Sequence, residues 1–170
     1  MKIYSICLFL FLSVCHTSSG QKVLNPDFDK KIDKMIGYSV PIITVEEACA
    51  DTLRDFTFLD AREKEEYDVS HLPGAIHIGY DNFDISSVSG LSKNKEIIVY
   101  CSIGYRSDKI GNKLKKAGYS NVHNLYGSIF EWANRGFLIV DNSGNQTSKV
   151  HTYNKKWSRW VENPSIEKVW

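Results

Sequence analysis

The sequence predicts an α/β domain whose mostly parallel central sheet is covered by helices on both faces. Between residues 40 and 136, short apolar runs alternate with amphipathic segments of helical period. One run, EIIVY at 96–100, is continuously apolar after its first residue, as suits a strand buried on both sides of a parallel sheet. The 170 residues, 42% hydrophobic and 12% aromatic, suffice for one core and exclude a disordered or fibrous chain.

Residues 1–20 stand apart from that domain. A single lysine, an apolar run from Ile3 to Cys15 and the small residues Ser18, Ser19 and Gly20 follow the order of a secretory signal peptide. The run is shorter than the roughly 20 residues a membrane span requires. The stretch Leu12-Ser13-Val14-Cys15 also resembles a bacterial lipoprotein signal, although Val14 stands where a small residue is usual. The expectation is an exported protein, periplasmic or secreted, with a membrane anchor only if Cys15 is lipidated. Cleavage near Gly20 leaves 20 basic and 20 acidic residues with no basic patch, so nucleic acid is not expected as a partner. It also leaves only Cys49 and Cys101, too few for a disulfide framework.

Residues 21–39 form a lead-in, with apolar positions at helical spacing between Asp27 and Ile36. The domain at 40–141 then reads as strand 40–44, helix 45–53, strand 56–61, helix 62–70 and strands 75–78 and 96–100. Helix 107–118 follows, with Ser107 as its N-cap and Gly118 as its stop. Strand 121–125 and helix 128–136 close it. A polar turn and an aromatic-rich extension occupy 142–170, where Tyr153, Trp157 and Trp160 have helix-like spacing and are expected to pack the tail onto the domain. Asn145-Gln146-Thr147 would be glycosylated only in a eukaryotic secretory pathway.

The chemistry concentrates at CSIGYRS, residues 101–107. Cys101 ends an apolar strand, and ligands of open parallel sheets bind just beyond such carboxyl ends. Gly104 permits the sharp turn that brings successive backbone N–H groups inward as an anion nest. A helix start adds its positive dipole end, and Arg106 adds a fixed charge. These features should lower the Cys101 pKa from its free value of about 8.5 and favour the thiolate. The histidines and cysteines show no metal-ligand spacing, and no cofactor is called for.

In these residues the chain resembles a single-domain rhodanese, a sulfurtransferase superfamily. Besides CSIGYRS, the likeness covers LDAREKEEYDVSHLPGAIHI (59–78) and NVHNLYGSIFEWANRGF (121–137), in family order from about Ile43 to Val140. The resemblance implies a rhodanese-like three-layer fold, with Cys101 as the nucleophile that carries a persulfide. The loop Ser102, Ile103, Gly104, Tyr105, Arg106 and Ser107 would hold the sulfur. Asp60 and Arg62 would form a buried polar pair, with Glu66 as the acidic partner of Arg62, and His71 would shape a turn near the sheet edge. Two positions depart from the family pattern: Ser128 and Ser70 each stand where glycine is usual, and neither is expected to touch the chemistry.

The implied activity moves sulfane sulfur from a small anion such as thiosulfate to a thiol, to cyanide or to a protein acceptor. A persulfide carrier and a non-catalytic binding or sensing module are the alternatives. Cysteine phosphatases and arsenate reductases need a longer loop, with five residues between cysteine and arginine; here the arginine arrives one residue sooner. A redox pairing of Cys101 with Cys49 is disfavoured, because Val45 and Ala48 place Cys49 beside a core-facing stripe.

Overall fold

The computed structural model describes residues 22–50 and 55–170. The leader at 1–20, with its lipidation alternative, and the end of the helix expected over 45–53 lie outside these residues. Among the described residues, no helix is long and apolar enough to cross a membrane.

The chain enters through α1 (Pro26–Asp33). Asn25 caps it by accepting hydrogen bonds from the amides of Asp27 and Phe28, and Pro26 occupies the first turn, where no N–H is needed. Its buried face carries Phe28 and Ile32. There follow β1 (Ile42–Ile43), α2 (Val45–Ala50), β2 (Thr57–Asp60), α3 (Lys64–Val69), β3 (Ile76–His77) and β4 (Glu96–Tyr100). Then come α4 (Tyr105–Lys116), β5 (Asn121–Leu125) and α5 (Ser128–Asn134). The five strands form one sheet in the order β1-β5-β4-β2-β3, and every neighbouring pair is parallel.

Strand β4 is central and shows why the sheet needs two covers. Ile97 and Val99 enter one core with Ile110 and Leu114 of α4, together with Leu59, Val88 and Val122. Ile98 and Tyr100, pointing the other way, enter a second core with Phe28 and Ile32 of α1 and Ile129 and Phe130 of α5. The fold is therefore three layers, helix over parallel sheet over helix.

The start of α4 differs from the sequence expectation. The helix begins at Tyr105 with Gly104 as N-cap, and Ser107 lies inside its first turn. Gly104 adopts φ +120°, which side-chain-bearing residues resist, so the chain turns into the helix earlier than the serine suggested. In the tail, residues 158–160 make one 3-10 turn. On either side, β6 (Lys149–His151) and β7 (Glu167–Val169) pair as a parallel two-stranded ribbon. Val150 and Val161 are buried in the α1/α5 core, Trp160 stacks on Phe28 with ring centroids 5.3 Å apart, and Asn134 of α5 binds the Trp160 carbonyl and the Glu162 amide.

One close approach sets the entry to α5. Gly127 caps it at φ +76°, and a Cβ there would lie 2.6 Å from the Glu131 Cβ and 2.8 Å from Val23 Cγ1. Gly127→Ala is expected to cost about 2–4 kcal/mol from left-handed backbone strain and overpacking, read as a lower urea midpoint at unchanged slope.

Candidate active site

Strand β4 delivers Cys101 to the carboxyl edge of the sheet, where it is 1% exposed at the floor of a pocket. The loop that follows directs its N–H groups toward the sulfur because its carbonyls are engaged elsewhere. The Cys101 and Ser102 carbonyls accept from the amides of Ile129 and Phe130 in α5, and the Gly104 carbonyl accepts from Asn124 Nδ2 at 3.0 Å. Ile103 anchors the loop in the α1/α5 core. The Gly104 amide then donates to Cys101 Sγ at 3.2 Å, and the Ser107 hydroxyl lies 3.5 Å from the same sulfur. The first internal bond of α4 is Asp108 N–H to Gly104 C=O, so the amides of Tyr105, Arg106 and Ser107 in its first turn are not used by the helix.

Burial alone would push the Cys101 thiol up. The Arg106 charge, the Ser107 hydroxyl and the Ser107 and Gly104 amides outweigh it, and the thiol titrates below its ordinary range. The site therefore favours the thiolate more than water would favour it for a free thiol, at a sulfur closed off from bulk solvent.

The supporting charges are arranged differently from the expected pattern. Arg62 is fully buried and binds Asp60 through Nε and Nη2, with Nη2–Oδ2 at 2.6 Å, while Nη2 also donates to the Ser70 carbonyl. Glu66 is not its hydrogen-bond partner. Glu66 instead takes Arg106 in a fork, at 2.6 and 2.7 Å, and accepts from the Ser102 hydroxyl and the Glu63 amide. The planar guanidinium matches a carboxylate better than a lone loop cation could be left in so enclosed a place. Burial pushes the Glu66 carboxyl up, but the bonds and charge of Arg106 overcome this and hold it below its ordinary value. The guanidinium of Arg106 is thus already paired and reaches Cys101 through its field.

His71 is not among the residues lining the pocket. Its backbone bridges to Val140 and its ring stacks on Tyr67 at 3.8 Å. Cys49 is a free thiol on α2, half-buried and pushed up by that burial, and Cys101 is likewise free.

Asn124 and Ser128 reach the site although the sequence pattern did not single them out. Asn124, fully buried in β5, joins the Gly104 carbonyl to the Ser107 hydroxyl, which donates to its Oδ1 at 2.7 Å. The available signal was a second asparagine in β5, placed next to the core residue Leu125. Ser128 corrects the expectation that it touches no chemistry: its hydroxyl accepts the Cys101 amide at 3.2 Å and donates to the Leu125 carbonyl at 3.0 Å. It does so from φ +50°, a conformation glycine takes more easily. The tail contributes Tyr153 and Trp157 to the pocket wall.

Two predictions follow from this geometry. Arg106→Gln is expected to move the pH midpoint for alkylation of Cys101 by iodoacetamide upward by about one unit, and Ser107→Ala by less, because each removes a group favouring the thiolate. Ser128→Ala should cost about 1–3 kcal/mol in urea denaturation, since it strands a buried amide while keeping the disfavoured φ; Ser128→Gly should cost less.

Residues 44–135 match the rhodanese-like domain family. A Bacillus subtilis protein described as a sulfur carrier, YrkF, is 31% identical over 57% of this chain and 53% of its own length. A tRNA uridine(34) hydroxylase from Aster yellows witches'-broom phytoplasma is 29% identical over 65% of this chain and 38% of its own length. The chain thus spans about half or less of these curated relatives. A crystal structure of thiosulfate sulfurtransferase from Pseudomonas aeruginosa superposes with TM-score 0.53 at 22% identity, covering 69% of this chain and 22% of that one, a likeness of fold. With the family match extending over more than half its residues, the chain belongs to the rhodanese-like family.

Proposed function

We propose that this protein is a sulfurtransferase that moves sulfane sulfur from a donor such as thiosulfate, through a persulfide on Cys101, to a thiol or cyanide acceptor. The observation that carries this reading is the Cys101 sulfur itself, buried yet favoured as an anion by the Gly104 and Ser107 donors. In the first half-reaction the Cys101 thiolate attacks the outer sulfur of thiosulfate. The new S–S bond forms as the old one breaks, and sulfite leaves with the bonding pair. The first-turn amides of α4 then face the added sulfur, where preorganised dipoles stabilise its charge without reorganisation. Arg106, neutralised by Glu66, serves chiefly to lower the thiol pKa rather than to grip the donor. The same reading takes residues 1–20 as an export leader, which would place both substrates outside the cytoplasm.

The test is peptide mass analysis of the purified protein before and after mixing with thiosulfate. The expected result is a gain of one sulfur atom on the Cys101 peptide, removed by cyanide and absent in Cys101→Ser. A reduced Cys101 that gains no sulfur would overturn the thiosulfate half-reaction.

A further inference from the structure

Thiosulfate is small and needs only the loop, yet the pocket over Cys101 encloses about 330 Å³, the size of a site for an organic molecule. Its wall is gathered from separate segments: Met35 beyond α1, Tyr80 after β3, Tyr105 at the start of α4, and Tyr153 and Trp157 from the tail. Tyr153 is the most informative. Its ring is 57% exposed by residue and stands with its centroid 5.7 Å from the Arg106 guanidinium carbon. Its backbone is held at φ +63°, with its amide donated to His151 Nδ1 at 3.2 Å. A bulky side chain kept exposed from a disfavoured backbone is not explained by packing, and such outliers gather where a ligand is held. The rim also carries Glu63 and Asp81. Neither carboxylate is paired with a cation among the described residues, and Arg106 is already committed to Glu66. The wall therefore favours an apolar, uncharged group over an anionic one.

We propose that Tyr153 and Trp157, with Tyr105, Tyr80 and Met35, form a subsite for the carbon framework of an uncharged organic thiol, the acceptor that discharges Cys101. This rests on the persulfide reading above. The acceptor thiol passes its proton to the outer sulfur of the persulfide anion, and the thiolate so formed attacks that sulfur, forming a new S–S bond as the bond to Cys101 breaks. The proton stays on the transferred sulfur, and the electron pair returns to Cys101 as thiolate, so no external oxidant or reductant enters. The aromatic wall lies on the same pocket as Cys101 and so can hold the acceptor's carbon chain while its sulfur approaches the floor.

The test loads the full protein with thiosulfate, removes the excess, and follows loss of the persulfide by intact mass on adding cyanide, 2-mercaptoethanol or phenylmethanethiol. Phenylmethanethiol should discharge Cys101 at least about tenfold faster than 2-mercaptoethanol, the discrimination expected from seating one apolar ring. In Tyr153→Ser, and separately in Trp157→Leu, the ratio of the phenylmethanethiol rate to the cyanide rate should fall about tenfold. Loading followed by equal discharge with the two thiols, or equal proportional loss for thiol and cyanide in both variants, would overturn the subsite alone. Failure to load sulfur at all would overturn the thiosulfate half-reaction on which the subsite rests, and the subsite with it.

Discussion

A sulfur closed off from bulk water at the end of β4 can carry charge only where fixed groups of the protein balance it, and much of the surrounding structure answers to that demand. Burial works against the charge, so the Cys101 thiolate depends on two amides, a hydroxyl and one guanidinium. The guanidinium creates the same difficulty one step outward, because a buried cation also needs a partner. Glu66 supplies it through a two-bond fork, and Glu66 is itself held by Ser102 and by the Glu63 amide at the start of α3. The charge on one sulfur thereby ties β4, the loop, α4 and α3 into one electrostatic unit. Beside it, Asp60 and Arg62 form a second buried pair, and Tyr100, next to Cys101, lies against it: its ring is 5.8 Å from Arg62 and its hydroxyl accepts the Leu72 amide.

The direction of the loop amides has a similarly simple origin. A peptide unit that turns its carbonyl one way turns the neighbouring N–H another, and a buried carbonyl must be satisfied. The α5 amides of Ile129 and Phe130 and the Asn124 side chain take three of the four carbonyls from Cys101 to Gly104, and the Gly104 and Ser107 amides face the sulfur. The cradle is therefore built from behind, by β5 and α5, as much as by the loop's own residues. Ser128 extends this scheme to the Cys101 amide, whose buried N–H donates to the serine hydroxyl.

The sheet and its two covers were legible because they rest on period and burial alone: EIIVY alternates Ile97 and Val99 toward α4 against Ile98 and Tyr100 toward α1 and α5. The loop from Cys101 to Arg106 was legible at the sheet edge because thiol, turn and charge sit within six residues. The partners of these residues were not, since they are chosen by the approach of distant segments. Glu66 could have faced Arg62 or Arg106, and only the packing of α3 against the loop decides for Arg106. Ser107 looked like a cap because serine usually is one; Gly104 turned the chain earlier and released the hydroxyl to Asn124. The tail aromatics pack on the domain, but their spacing could not tell which ring meets Phe28 and which line the pocket wall.

The parallel pairing of β6 with β7 has a consequence for the order in which the molecule assembles. Two antiparallel strands could zip locally from a hairpin turn, but a parallel pair needs a long crossover, here residues 152–166, and gains nothing until both ends are in place. Val150, Val161 and Trp160 dock on a core made by α1 and α5, so the ribbon requires that core as its template. The Cys101 loop lies on the sheet, whereas Tyr153 and Trp157 of the outer pocket wall are carried on the crossover of the ribbon. The floor and the wall of one pocket thus depend on contacts of different range, and the wall can form only where the α1/α5 core is already in place.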